Sequence, residues 1–261
     1  MNTTLESMAQ AIFKSWFIDF DPVHRNAAKR QGQLTVANAT STFTLPTLNF
    51  DHLFPDFFED SEIGNVPLGW QASRFSNLIE MNPARSLRKG TTAKYLDMKN
   101  VPTSGFRATD IIDRAFSSGT KFMNGDTLLA RITPCLENGK TAFVDFLEED
   151  EVGWGSTEFI VLRPKVGIPS VFVYFIARDE NFRKHAIQGM TGTSGRQRVA
   201  IECLDNYLIA NPSAEVLSEF ARITKAVFSQ IQLLSTSSNS LMKSRDLLLP
   251  KLINRNYSEG Q

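Results

Sequence analysis

Two cysteines, Cys135 and Cys203, and three histidines, His24, His52 and His185, are all that this chain offers of the usual metal-binding and redox side chains. The cysteines stand too far apart in sequence for a disulfide framework or zinc spacing. The histidines occur singly and form neither a metal pair nor an acid–base pair. Long apolar runs are missing too. The longest, Val171 to Ala177, falls far short of the roughly 18–20 residues that span a bilayer. The opening MNTTLESMAQ has neither the basic start nor the apolar core of a signal segment, so the expectation is no membrane and a cytoplasmic protein. Net charge is also lacking, with 28 Lys and Arg against 28 Asp and Glu. That excludes a bulk basic DNA-coating protein and confines any nucleic-acid surface to a local patch.

Nucleotide and nucleophile motifs are absent as well. GMTGTSGRQR, residues 189–198, lacks the Gly-Lys-Ser/Thr ending of a P-loop, and no GxGxxG lies between a strand and a helix. There is no GxSxG elbow. Asn211-Pro212 continues with Ser213, which departs from the Asn/Asp-Pro-Pro-Tyr/Phe motif of amino-methyltransferases. One loose pattern imitates a metal-dependent nuclease: Asp56 in the Pro55-Asp56 pair, with Asp97 and Lys99 further along. The sequence therefore predicts no resident cofactor, no metal site and no catalytic set. Three classes stay open: a DNA-reading module, a nuclease built on Asp56, Asp97 and Lys99, and a pure assembly protein.

What is present has a clear order. Leu5, Met8, Ile12 and Trp16 recur at helical spacing, with Thr3 and Glu6 as a capping box, and predict a short helical segment over 1–21. Residues 22–66 read as a linker, rich in Asn, Thr, Ser and Gln, with Phe54, Phe57 and Phe58 as anchors onto the next domain. Residues 67–210 read as that main domain. Strand-like runs at Thr127 to Ile132, Thr141 to Phe146 and Glu158 to Leu162 precede a helix over Ser170 to Gln188. In 211–253 the steps alternate three and four from Leu217 through Phe220, Thr224, Val227, Ile231, Leu234, Ser238 and Leu241 to Arg245 and Leu248. This is a coiled-coil seam, opened by Asn211-Pro212-Ser213 and closed by Pro250. The expected fold is α+β: a mixed domain with a short N-terminal helix and a long C-terminal coiled-coil helix.

Several of these segments are similar to a known family. LESMAQAIFKSWFIDFDPV (5–23), LFPDFFEDSEIGNVPLGW (53–70) and MKSRDLLLPKLI (242–253) resemble helix ends and a domain junction in specificity subunits of type I restriction–modification enzymes. GDTLLARITPCLENGKTAFV (125–144), GSTEFIVLRP (155–164) and MTGTSGRQRV (190–199) resemble the interior of their target-recognition domains. The resemblance implies a non-catalytic subunit that reads part of a split target on double-stranded DNA. It also implies docking of methyltransferase subunits and, for restriction, of motor–nuclease subunits. It covers one recognition domain, one long helix and the end of another, about half of that family's usual architecture.

Candidate contact residues can be named on this basis. Base and phosphate contacts are expected from the 190–199 loop through Thr191, Thr193, Ser194, Arg196, Gln197 and Arg198, with Arg131 and Lys140 flanking a second loop, ITPCLENGK. Trp16, Phe17 and Phe20 are expected to meet partner subunits or, alternatively, to lock the linker onto the domain. Leu217, Phe220, Val227, Ile231, Leu234, Leu241 and Leu248 are expected to pair two copies into a homodimer, with Thr224, Ser238 and Arg245 interrupting the seam.

Overall fold

The computed structural model describes residues 2–32 and 50–258. Helix α1 (Asn2–Phe17) is followed by α2 (Asp21–Arg30), and the two turn at Phe20 in a left-handed conformation, φ 53°. The second helix occupies what the sequence reads as the start of a linker; Pro22 sits in its first turn, where a missing N–H breaks no hydrogen bond. Most of the expected linker's first part, residues 33–49, lies outside the described residues.

Short strands then succeed one another: β1 (Phe58–Ser61), β2 (Gly64–Pro67), β3 (Gln71–Arg74), β4 (Ile79–Met81), β5 (Thr92–Leu96), β6 (Ile112–Ala115) and β7 (Thr120–Phe122). After them come β8 (Thr127–Ala130), β9 (Thr141–Phe143), β10 (Gly153–Gly155) and β11 (Phe159–Pro164). Helix α3 (Ser170–Arg178) and α4 (Glu180–Gln188) lead to β12 (Met190–Thr191), β13 (Arg198–Val199), α5 (Ile201–Asp205), β14 (Leu208–Asn211) and α6 (Ala214–Ser258). The expected single helix over Ser170 to Gln188 is thus two. Asp179 leaves the helical region at ψ 141° and its carboxylate caps α4 by accepting from the Asn181 and Phe182 N–H groups.

Two four-stranded sheets make the domain, in the orders β4-β11-β8-β9 and β6-β5-β10-β7. Strands β8 and β11 are apolar without alternation because both faces of their sheet are covered. Leu129, Ile160 and Leu162 point to a core shared with the helices, whereas Leu128, Val161 and Phe159 point to a second core that includes Leu96 and Phe122. Thr127–Ala130, Thr141–Phe143 and Phe159–Pro164 fall where the sequence places strands. The α+β class expected from the sequence is the one observed.

The helical core is built largely of rings. Phe13, Trp16 and Phe17 of α1 meet Phe172 and Phe175 of α3 and Phe220 of α6, with centroids 4.8–6.3 Å apart. Trp16 also packs against Phe54, and Phe17 against Trp70. Ser213 caps α6 as expected, its hydroxyl accepting from the Val216 N–H. The expected stop at Pro250 does not hold, since α6 runs on to Ser258. A proline removes one backbone donor and need not end a helix.

Candidate nucleic-acid interface

Arg131, Lys140 and the 190–199 segment, separate in sequence, are brought together by backbone pairing. Strands β12 and β13 form a hairpin, Met190 opposite Val199 and Thr191 opposite Arg198. Its second strand also bridges Ile132. The Val199 N–H donates to Arg131 O at 2.9 Å and the Thr133 N–H to Gln197 O at 3.0 Å. The Thr133 to Lys140 loop closes on itself, with Leu136 N–H donating to Ile132 O and Lys140 N–H to Cys135 O. Loop and hairpin therefore form one continuous surface.

On that surface the residues differ in availability. Thr191, Thr193, Ser194 and Arg196 are exposed and Gln197 half-buried; the Arg196 N–H closes a turn onto Thr193 O. Gly192 holds φ +125°, which a side chain rarely adopts, and this opens the hairpin loop after β12. Arg198 is differently placed. Its guanidinium donates from Nε and Nη2 to the Glu158 carboxylate at 2.6–3.0 Å, and this hydrogen bond and charge hold Glu158 below its ordinary pKa. Arg131 donates from Nη2 to Val199 O, and its buried Nε has no acceptor among the described residues. Lys140 donates to Met98 O at 2.7 Å and to Lys99 O at 3.3 Å. Sequence reasoning marks these cations alike, but Arg131, Lys140 and Arg198 serve the local fold. Arg196, among the described residues, projects without a carboxylate partner. Arg178 and Arg183, which flank the same loop, escape sequence reasoning because their helices read only as packed elements.

For Trp16, Phe17 and Phe20 the packing favours the alternative of locking the linker onto the domain. Trp16 and Phe17 are buried in the ring cluster and Phe20 is half-buried, stacked edge-on against Trp70, so packing claims these aromatics. Phe54 docks as the sequence suggests, while Phe57 stays exposed beneath the Arg30 guanidinium, 3.4 Å from its ring centroid. The seam of α6 is likewise split. Leu217, Phe220, Thr224 and Ile231 are buried and Val227 and Leu234 half-buried, the first part of the helix being covered by α1 and α3 of the same chain. Leu241 and Leu248 are exposed, with Leu233, Leu247 and Leu249; Arg245 pairs with Asp246, and the Ser238 side chain lies outside the described residues.

The nuclease pattern does not assemble. Asp97 accepts from the Lys99 N–H and caps a single helical turn, while Asp56 lies 3.6 Å from Arg30. Among the described residues no group of three or more His, Cys, Asp or Glu is placed to hold a metal ion. Nor, among them, is any helix long and apolar enough to cross a membrane.

These elements define a mixed α/β domain clamped between helices, presenting a polar hairpin fixed to a neighbouring loop. The chain is 27% identical over 164 residues to the EcoAI type I restriction enzyme specificity subunit of Escherichia coli, covering 60% of this chain and 28% of that one. It is 23% identical over 287 aligned positions to the HindI type I specificity subunit of Haemophilus influenzae, covering 97% of this chain and 62% of that one. A solved structure of the HsdS subunit from Thermoanaerobacter tengcongensis overlaps 90% of this chain and 48% of its own, with a TM-score of 0.45 and 13% identity. No protein-family model matches the chain. By sequence, the chain is a relative of type I restriction enzyme specificity subunits, and it spans well under the full length of those it matches.

Proposed function

We propose that this chain is a non-catalytic recognition subunit of a type I restriction–modification system in the cytoplasm. It reads one half of a bipartite duplex target and docks methyltransferase subunits, with motor–nuclease subunits joining for restriction. The observation that carries this reading is the hairpin of Thr191, Thr193, Ser194, Arg196 and Gln197, fixed to the 133–140 loop in a chain related to specificity subunits. Hydroxyls, an amide and an exposed guanidinium match base edges and phosphates, and a rigid base for the hairpin lowers the ordering penalty of contact. The boundaries of the reading domain are taken as 67–210, with 211–253 as the helical arm.

Selection of bound sites from random duplexes, with the chain and its methyltransferase subunit together, tests this. Enrichment of a defined half-site is expected. Assembly with the subunit but no enrichment would leave a pure assembly protein instead.

A second reading concerns self-association. Exposed Leu233, Leu241, Leu247, Leu248 and Leu249 favour a homodimer through the distal part of α6, since monomers rarely leave such apolar stretches open. Two copies related by a twofold axis would present identical reading domains and favour an interrupted palindrome.

A further inference from the structure

Many cations in this protein are neutralised by a carboxylate. Arg85 and Arg163 share the buried Asp126, Arg107 pairs with Asp145, Lys94 with Asp113, Lys184 with Glu180 and Arg198 with Glu158. Around Gly139 the pattern changes. Arg178 donates from Nη1 to Gly139 O at 3.0 Å and from Nη2 to Thr103 O at 3.1 Å. Lys140 donates to the carbonyls of Met98 and Lys99. Arg183 lies against Gly139, its Nη1 only 2.8 Å from where a Cβ would stand, so the missing side chain makes its room. Lys99 belongs to the same corner through its carbonyl, which accepts from Lys140.

A carbonyl accepts a hydrogen bond without cancelling charge, so Lys140 and Arg178 keep their positive field, and among the described residues Lys99 and Arg183 have no ion pair with a carboxylate. Among the described residues no nearby acid forms an ion pair with these four cations, and Glu180, which faces Arg183, is paired with Lys184. Asp97 accepts from the Lys99 N–H, Asp179 caps α4, and Glu6 faces Arg178 but is held by the Tyr174 hydroxyl and raised in pKa by burial. Glu137 is the exposed acid of the loop itself.

We propose that Lys99, Lys140, Arg178 and Arg183 form a phosphate-gripping wall that holds the duplex backbone while the hairpin at the other end of the same loop meets base edges. This rests on the DNA-recognition reading and deepens it by dividing the labour within one loop. Positioning contacts to phosphate are independent of sequence and depend steeply on salt, whereas base contacts are not equivalent between sequences. The loop from Thr133 to Lys140 joins both: its start is hydrogen-bonded to the hairpin and its end is held by Arg178 and Lys140.

The test uses the whole chain and a labelled random-sequence duplex, with affinity measured across a salt series. Lys99 and Arg183 are the residues to neutralise, because Arg178 and Lys140 also hold the backbone. For Lys99→Gln with Arg183→Gln, the slope of log affinity against log salt should fall by about 0.9 for each phosphate no longer gripped. Arg196→Ala should instead alter preference among selected sequences. Arg222→Gln, which removes a cation already paired with Glu219 on α6, should change neither. A thermal melt matching the unsubstituted protein checks that the variants fold; if the double variant does not, Lys99→Gln alone should lower the slope by about 0.9. An unchanged slope in folded variants, with the unsubstituted chain still binding, overturns the wall and leaves the recognition reading standing. No duplex binding by the unsubstituted chain at any salt overturns both.

Discussion

Asp126 shows how strongly single residues can be committed in this domain. It is fully buried and accepts from Arg85 at 2.9 Å, from Arg163 at 3.0 Å and from the Met123 N–H at 2.7 Å. Asp126→Ala would strand the nearly buried Arg85 guanidinium, and a loss of about 3–5 kcal/mol is expected in urea denaturation. The two hairpin arginines should behave in opposite ways. Arg196→Ala is expected to leave the melting temperature unchanged and to relax selectivity at one base position, whereas Arg198→Ala releases Glu158 and loosens the hairpin, read as faster amide exchange at Val199. The sequence marks both as cations in a polar loop. It cannot rank them, because the carboxylate that neutralises Arg198 comes from a position 40 residues earlier. At Glu6 the capping-box reading fails for a related reason: α1 begins at Asn2, ahead of Thr3, and the carboxylate is taken instead by Tyr174 on α3.

Among elements, α1 and α6 show what periodicity can and cannot tell. Spacing identifies both as helices with an apolar face, and both are. It does not say what covers the face. Since Trp16 lies among Phe17, Phe50, Phe54 and Phe220, Trp16→Ala should destabilise the fold by about 3–5 kcal/mol, measured by urea denaturation, rather than spare it while weakening a partner interface. Helix α2 is not legible in the sequence because its ten residues are polar on balance and only Pro22 and Val23 are buried. It is held by charge: Arg25 and Lys29 both reach the Asp51 carboxylate at 2.6 Å, and Asn26 donates to Asp51 O. Burial raises the pKa of Asp51, but the hydrogen bonds and charges of Arg25 and Lys29 outweigh it and leave the group below its ordinary value. Its contribution to stability is present above the ordinary aspartate range, near ~4, and is lost as pH falls through it toward the depressed folded value. Carbon-detected NMR titration should find Asp51 ionising below its ordinary range, and in Arg25→Ala with Lys29→Ala that midpoint should move up.

At the scale of the whole molecule, α6 divides into an anchored part and an open part, and the two should respond differently to the same substitution. Ile231→Asp introduces a charge at a site 1% exposed and should melt the domain. Leu241→Asp with Leu248→Asp should leave the melt intact and, if copies associate through the distal leucines, reduce the light-scattering mass at micromolar concentration to that of one chain.

The doubly covered sheet carries a consequence for exchange of specificity between relatives. Leu128 and Leu129 of β8 and Phe159 to Leu162 of β11 are buried against one core or the other, so almost any change at them disturbs packing. The hairpin tip, by contrast, touches the rest through backbone bonds that are blind to side-chain identity. A segment from Gly192 to Gln197 taken from another member of the group is therefore a transplantable cassette: register survives as long as its length, its glycines at the positive-φ positions 192 and 195 and its two flanking strands are kept. On the proposed recognition role, new targets would then arise by shuffling a few surface positions on an unchanging chassis, without any renegotiation of the interior.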